Sequence, residues 1–218
     1  MLNKNLSLQH LIKPAETTQE KPNVLFMFHG YGSNEDDLFS FAPELPKELC
    51  IISVQAPYNI QGFGYAWYAI NFDAEHGKWS DNEQAIQSRD AIVKFIDEAC
   101  NAYQLNTENI TLLGFSQGAI LSYAVALTYP AKIKNIISLS GYINEDIFKI
   151  KATEAYQKLH FYCSHGSVDQ VIPVEWARQT SPFLEKLAID FVYEEYPVGH
   201  GVAPQNFYSF KNWLDKHL

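Results

Sequence analysis

Ile110-Thr-Leu-Leu-Gly-Phe-Ser-Gln-Gly-Ala-Ile120 decides the fold. An apolar run of strand character passes directly into Gly114-Phe115-Ser116-Gln117-Gly118, and an apolar segment of helical length follows. A serine on so tight a turn sits in a strained backbone conformation, and side chains two positions to either side would collide. Glycine at 114 and 118 removes those side chains and leaves the Ser116 hydroxyl exposed at the tip. G-x-S-x-G between a strand and a helix is a nucleophile elbow. The bare pattern also arises in ordinary glycine-containing connections, so the rest of the chain must supply a base, an acid and an oxyanion site.

Working outward, Val24–Phe28 and Cys50–Val54 are continuous apolar runs, as expected of strands buried on both faces. Residues 133–139, 159–163 and 191–196 are further strand candidates, and 6–12 alternates like an edge strand. Ile86, Ile92, Val93, Ile96, Cys100 and Tyr103 trace one helical face, with Ser80 or Asp81 placed to cap it. The helix behind Ser116 is apolar nearly all round and stops before Pro130. A short helix carries Phe39 and Leu45 and is limited by Pro43 and Pro46. A helix over 174–187 is bent or split by Pro182, and Pro204 opens the last one. Residues 58–80 show no regular period and are rich in glycine and aromatics (Tyr58, Phe63, Tyr65, Trp67, Tyr68, Phe72, Trp79), which reads as a long functional loop. Alternating strands and helices predict one α/β domain over residues 1–218, with a mostly parallel central sheet covered by helices on both faces.

The 218 residues are enough to bury a substantial core, and 47% hydrophobic content supplies one. The formal net charge of −9 argues against nucleic acid or an anionic membrane as a main partner, since both need a basic footprint. No stretch approaches the roughly 18 apolar residues of a spanning helix, and residues 1–14 lack a signal peptide's apolar block. Cys50, Cys100 and Cys163 are an odd, dispersed set among apolar neighbours, which reads as buried free thiols in a reducing compartment; the expected location is cytoplasmic.

A serine hydroxyl attacks only when a histidine takes its proton and a carboxylate orients that histidine. In chains built on this elbow the order is serine, acid, histidine. Downstream of Ser116, His160 lies in a strand pattern and His217 near the end of the last helix. His200 sits in a glycine-flanked loop between the last strand and the last helix, where the glycines would allow close approach; it is the expected base. His165 is the rival, with a structural reading as a loop-shaping residue. Asp169 follows the 159–163 strand, at the end where ligand-facing loops emerge, and is the expected acid. Glu145 and Asp146 are the runners-up. Glu194 and Glu195 read as solvated or sheet-edge charges. Oxyanion donors are expected from the Gln117 backbone N–H and from the glycine-rich turn after Phe28, at Tyr31. His29 is expected to stabilise that turn. Trp67 and Tyr68 are read equally as core packing and as substrate contacts.

His-Gly-Tyr-Gly-Ser-Asn-Glu-Asp-Asp-Leu (29–38), Ala56-Pro57, Trp67-Tyr68, Gly-Phe-Ser-Gln-Gly-Ala (114–119), Ser-Leu-Ser-Gly (138–141), His-Gly-Ser-Val-Asp-Gln-Val-Ile-Pro (165–173) and Gly-His-Gly (199–201) together resemble the phospholipase/carboxylesterase family. These are small α/β-hydrolases that include acyl-protein thioesterases. The resemblance runs from about Val24 onward. It implies Ser116, Asp169 and His200 as a catalytic triad, Tyr31 and Gln117 amides as an oxyanion hole, no metal or organic cofactor, and a carboxylic ester substrate. Thioester and lysophospholipid are the alternative substrates, and a catalytically silent binding module is the non-enzymatic one. The family's usual leucine is replaced by Tyr31, and its aspartate two positions on by Ser33. The amide donor survives either change, while the acyl pocket beside Tyr31 should be narrower or more polar.

Overall fold

Val24 to Phe28 is apolar at every position, and every position is fully buried, because the strand has neighbours on both edges and helices on both faces. The computed structural model describes residues 5–73 and 77–218, with side chains other than those of 72–79. In chain order its strands are β1 (His10–Lys13), β2 (Val24–Phe28), β3 (Cys50–Val54), β4 (Tyr58–Asn59), β5 (Tyr65–Ala66), β6 (Ile70–Asp73), β7 (Gly77–Ser80), β8 (Ile110–Phe115), β9 (Asn135–Leu139), β10 (His160–Gly166) and β11 (Asp190–Tyr196). The helices are α1 (Asp36–Phe39), α2 (Asn82–Tyr103), α3 (Gln117–Thr128), α4 (Val174–Arg178), α5 (Thr180–Lys186) and α6 (Pro204–Asp215).

Seven strands form the main sheet in the order β1-β3-β2-β8-β9-β10-β11, with only β1 antiparallel to its neighbour. Alternate residues of β2 divide the core. Val24, Phe26 and Phe28 pack with residues of α2 and α3 on one face, and Leu25 and Met27 with residues of α1 and α6 on the other. The chain leaves β2 towards β3 on one side and later returns to β8 on the other. The strand order therefore reverses between β2 and β8, the place where an open parallel sheet forms its crevice. Phe28 pairs with Gly114, so the turn after β2 and the elbow after β8 leave the sheet side by side. No helix among the described residues is long and apolar enough to cross a membrane.

Several expectations are met locally. Asp81 caps α2, its side chain accepting the Gln84 N–H at 3.0 Å. Pro204 is in the first turn of α6, and β1 is an edge strand. Others need correction. The segment 58–80 is not irregular: β4 pairs with β5 and β6 with β7 as two small antiparallel hairpins. Gly62 and Gly64, at φ +79° and +85°, make the first turn possible, a conformation that leaves no periodic signal in sequence. The side chains of Phe72 and Trp79 lie outside the described residues. The 174–187 helix breaks at Gln179, not at Pro182 itself. Proline cannot donate to the carbonyl four residues back, so Pro182 falls in the first turn of α5, where that donor is not needed. Phe39 ends α1, and Pro43 belongs to a separate 3₁₀ turn at Ala42–Glu44.

The elbow glycines are both required, for a reason more specific than crowding around Ser116. A β-carbon on Gly114 would collide with the Gly118 backbone, and one on Gly118 with the carbonyl of Phe28 on β2. Gly118→Ala should therefore cost about 3 kcal/mol or more, since no flexible side chain is available to yield. A shift in the urea midpoint measures this. Gly199→Ala is the control, because a β-carbon there meets nothing within 4 Å; equal midpoints for the two variants would contradict the steric account.

Candidate active site

Ser116 caps α3 with φ 52° and ψ −114°, a strained conformation for a residue with a side chain. The strain is held by the strand before it and the helix after it, and by the Ser116 N–H donating to the Leu139 carbonyl at 2.9 Å. His200 Nε2 lies 2.9 Å from Ser116 Oγ, and His200 Nδ1 lies 2.7 Å from Asp169 Oδ2. Loop position, chain order and the family resemblance point to these three, and the structure brings all three into one hydrogen-bonded chain.

The glycines that permit this approach are not the ones beside His200. β-Carbons at Gly199 and Gly201 would meet nothing within 4 Å. One at Gly166, the last residue of β10, would strike the carbonyls of Val198 and Gly199. The steric demand falls on the acid's loop because β10 and β11 are paired to their ends there, bringing the loops after them into backbone contact. Ser167 N–H donates to the Tyr196 carbonyl at 2.7 Å.

Asp169 is held from three directions. Its Oδ1 accepts the amides of Val171 (2.8 Å) and Ile172 (3.0 Å), and its Oδ2 faces His200. Burial pushes the carboxyl's pKa up, but the bonds from His200 and the two amides outweigh that and hold it below the ordinary value. The carboxylate is thus ionised where it faces the His200 imidazole. His165, the rival base, is buried and does not reach the serine. Its Nε2 is 2.9 Å from the Ile172 carbonyl and 3.3 Å from Asp169 Oδ2. It braces the acid's loop, as its structural reading expected.

Asp146 and Glu145 do not approach the histidine; Asp146 Oδ2 instead accepts from Asn82 Nδ2 at 3.3 Å. Glu194 is no simple solvated charge, since it accepts the hydroxyls of Tyr162, Tyr196 and Ser209. Burial raises its pKa and these donors more than reverse the shift. Glu195 pairs in bidentate fashion with Arg178 at 2.7 and 2.8 Å. His160 and His217 meet each other elsewhere in the fold.

The turn after β2 lies against the elbow: a β-carbon on Gly30 would sit 3.3 Å from Ser116 Cβ. Gln117 opens α3, so its N–H has no intrahelical acceptor. Tyr31, in the turn after β2, lines the same cavity as Ser116 and Gln117. His29 does stabilise its turn. The Ala56 N–H donates to His29 Nε2 at 3.0 Å, which leaves Nδ1 to carry the proton and donate to the Gly30 carbonyl at 2.7 Å. Burial is the main force lowering its pKa, and the ring is neutral. The Ser33 hydroxyl donates to the Asp37 carboxylate at 2.8 Å, linking the turn to α1.

Trp67 needs correcting as a substrate contact. It is fully buried, its indole N–H donates to the His29 carbonyl at 2.9 Å, and it takes no part in lining the cavity. Its flat ring braces the turn from behind, so its role is packing. Tyr68 does line the cavity. Sequence reasoning missed the Gln117 side chain, which accepts the Trp67 N–H at 2.9 Å and donates to the Tyr68 carbonyl at 2.7 Å. That bridge ties the hairpin segment to the elbow, and no pattern in the chain announces it. All three cysteines are buried and free, and burial pushes each thiol up to about 12, so none is a poised nucleophile.

Ser116 and His200 open into a cavity of about 720 Å³. Ile70, Ile120, Val171 and Ile172 form apolar wall, joined by Tyr142 and Trp176, which meet edge-to-face at 5.2 Å. Ser80, Asn82, Asn144 and Asp146 supply the polar side. Lysine and arginine are absent from the lining among the described residues.

A doubly wound sheet with a serine elbow, an aspartate and a histidine in this chain order (Ser116, Asp169, His200) at its switch point defines an α/β-hydrolase. The family model for phospholipase/carboxylesterase matches residues 12–218, and the chain belongs to that family. It is 26% identical to acyl-protein thioesterase 1 of Kluyveromyces lactis over 95% of this chain and 97% of that one. It is 27% identical to a probable carboxylesterase of Oryza sativa, over 70% of this chain but only 58% of the rice protein. Among solved structures, the Bacillus cereus carboxylesterase shares the fold at TM-score 0.83 and 22% identity, covering 98% of this chain and 96% of that one. The protein is accordingly a carboxylic ester hydrolase.

Proposed function

We propose that Ser116, His200 and Asp169 carry out this hydrolysis through a covalent acyl-Ser116 intermediate, within a single domain spanning residues 1–218. The observation that carries the reading is the unbroken chain Asp169–His200–Ser116 at 2.7 and 2.9 Å. His200 Nε2 takes the hydroxyl proton as Oγ attacks the ester carbonyl. The Tyr31 and Gln117 amides receive the developing oxyanion, each such donor being worth about 3–4 kcal/mol in the transition state. His200 then protonates the leaving alcohol, activates water against the acyl-enzyme and returns its proton to Ser116 as the acid departs. The step needs no metal or cofactor. A fluorophosphonate probe should label the intact protein once, at Ser116. A folded protein that neither labels nor turns over any activated ester would instead be a silent binding module.

Similarity to an acyl-protein thioesterase across nearly the whole chain favours thioesters as a second substrate class. The attack is the same, and a thiolate leaves without needing the proton. Lysophospholipid is disfavoured because its phosphate would meet Asp146 and no lining cation among the described residues. The same carboxylate should discriminate simpler substrates. With Coulomb energies of about 0.5–1 kcal/mol in a solvated cleft, Asp146→Asn should raise kcat/KM for a 4-nitrophenyl hemisuccinate two- to fivefold and leave the butyrate unchanged. An unchanged ratio of the two esters would remove Asp146 from the substrate's path. The buried free thiols support a reducing, cytoplasmic setting, and a net charge of −9 supports a small acyl substrate over nucleic acid or a stable membrane association.

A further inference from the structure

Where β10 and β11 begin, at the end of the sheet opposite the Ser116 elbow, His160, Asp190 and His217 converge. One ring nitrogen from each histidine and one carboxylate oxygen all lie within 4.8 Å of one another. Parallel pairing sets half of this: His160 and Asp190 are register partners at the first positions of their strands, and His160 Nδ1 lies 2.8 Å from Asp190 Oδ2. His217, just past α6, supplies the rest. Its Nδ1 lies 2.7 Å from the Trp213 carbonyl, which can only accept, so Nδ1 carries a proton and Nε2 is the nitrogen that can offer a lone pair to an ion. The ring also stacks on Trp213 at 4.0 Å and 21°, and its centroid is 5.2 Å from that of His160.

An imidazole with one nitrogen donating to a backbone carbonyl and the other free is the usual state of a metal-ligating histidine, since the outer hydrogen bond fixes both tautomer and ring orientation. A bare His160–Asp190 ion pair would account for two of the three residues. It gives no reason for a second imidazole, oriented by a backbone carbonyl, at the same point. Two imidazole nitrogens and one carboxylate oxygen suit a borderline divalent ion, with solvent completing a tetrahedron, and the cluster is open enough for water to do so.

We propose that His160, Asp190 and His217 bind a divalent transition-metal ion of the Zn2+ type, fastening the turn after α6 to the starts of β10 and β11. The ion takes the place of any proton shared by His160 and Asp190, which passes to solvent, so binding weakens as pH falls. The site lies at the far end of the sheet from Ser116 and takes no part in ester cleavage.

Calorimetric titration of the untagged full chain with ZnCl2 tests this. One equivalent should bind, and a hundredfold excess over Kd should raise Tm by about 5 °C. His217→Phe keeps the stack on Trp213 and removes the nitrogen; Asp190→Asn keeps a partner for His160. Each should weaken binding at least tenfold while leaving turnover of an activated ester unchanged. His200→Ala should leave Zn2+ affinity unchanged. Absence of binding to the wild type, equal affinity in His217→Phe, or loss of binding in His200→Ala would each overturn the proposal, the last by placing the ion at the Ser116 site.

Discussion

Ser116→Ala should lower kcat for an activated ester by about 10⁴–10⁶-fold and abolish fluorophosphonate labelling, with the urea midpoint nearly unchanged. The size of the loss follows from the single role proposed for Oγ: it would be the atom that bonds to the acyl carbon, and the neighbouring side chains offer no substitute. The small cost in stability follows from its position. The hydroxyl stands at the tip of the elbow, bonded to His200 on the cavity side, and a methyl group fills its place without strain beyond what Ser116 already bears at φ 52°. Because the three groups act as a unit, Ser116→Ala combined with His200→Ala should be no slower than Ser116→Ala alone. Additive losses would mean that His200 acts independently of the serine. Retained labelling in Ser116→Ala would move the nucleophile elsewhere.

Asp169→Asn should lower kcat by about 10⁴-fold with little effect on folding. The hydrogen-bond geometry dictates the direction. The Val171 and Ile172 amides both donate to Oδ1, so an asparagine must keep its carbonyl oxygen there and turn its NH2 towards His200. His200 Nδ1 would then have to accept, which puts the ring proton on Nε2, facing Ser116. An imidazole in that tautomer cannot take the hydroxyl proton. The two amide bonds persist, so the loop remains folded. A full-activity Asp169→Asn, together with an inactive Asp146→Asn, would reassign the acid. The contacts of Asp146 with Asn82 rather than His200 point the other way.

The parts of this site that were legible in sequence were those governed by short-range rules. Gly114 and Gly118 around Ser116 report a local steric requirement, and a buried strand such as β2 announces itself by apolar residues at every position. Chain order then selected Asp169 and His200 from several acids and histidines. The failures also share a cause. The hairpins over 58–80 are two to four residues per strand, too short for a period, and are set by glycine conformations. The glycines beside His200 suggested a close approach that Gly166, on the neighbouring strand, actually permits. Trp67 could not be told from a substrate contact because an aromatic residue in a loop serves either use.

By itself, then, the sequence determined the α/β class and the elbow and pointed to Asp169 and His200 as its proposed partners, because each reading depends on backbone sterics or on order along the chain. Only the tertiary structure decided what surrounds them. It turned Trp67 inward and Tyr68 towards the cavity, tied both to the Gln117 side chain, and set His165 behind Asp169 rather than beside Ser116. It also gathered Asp146 with Asn82 and Asn144 into one polar wall. Apart from His165 with Asp169, these contacts join residues dozens of positions apart through single hydrogen bonds, and such bonds leave no periodicity or spacing for a reader of the chain to find.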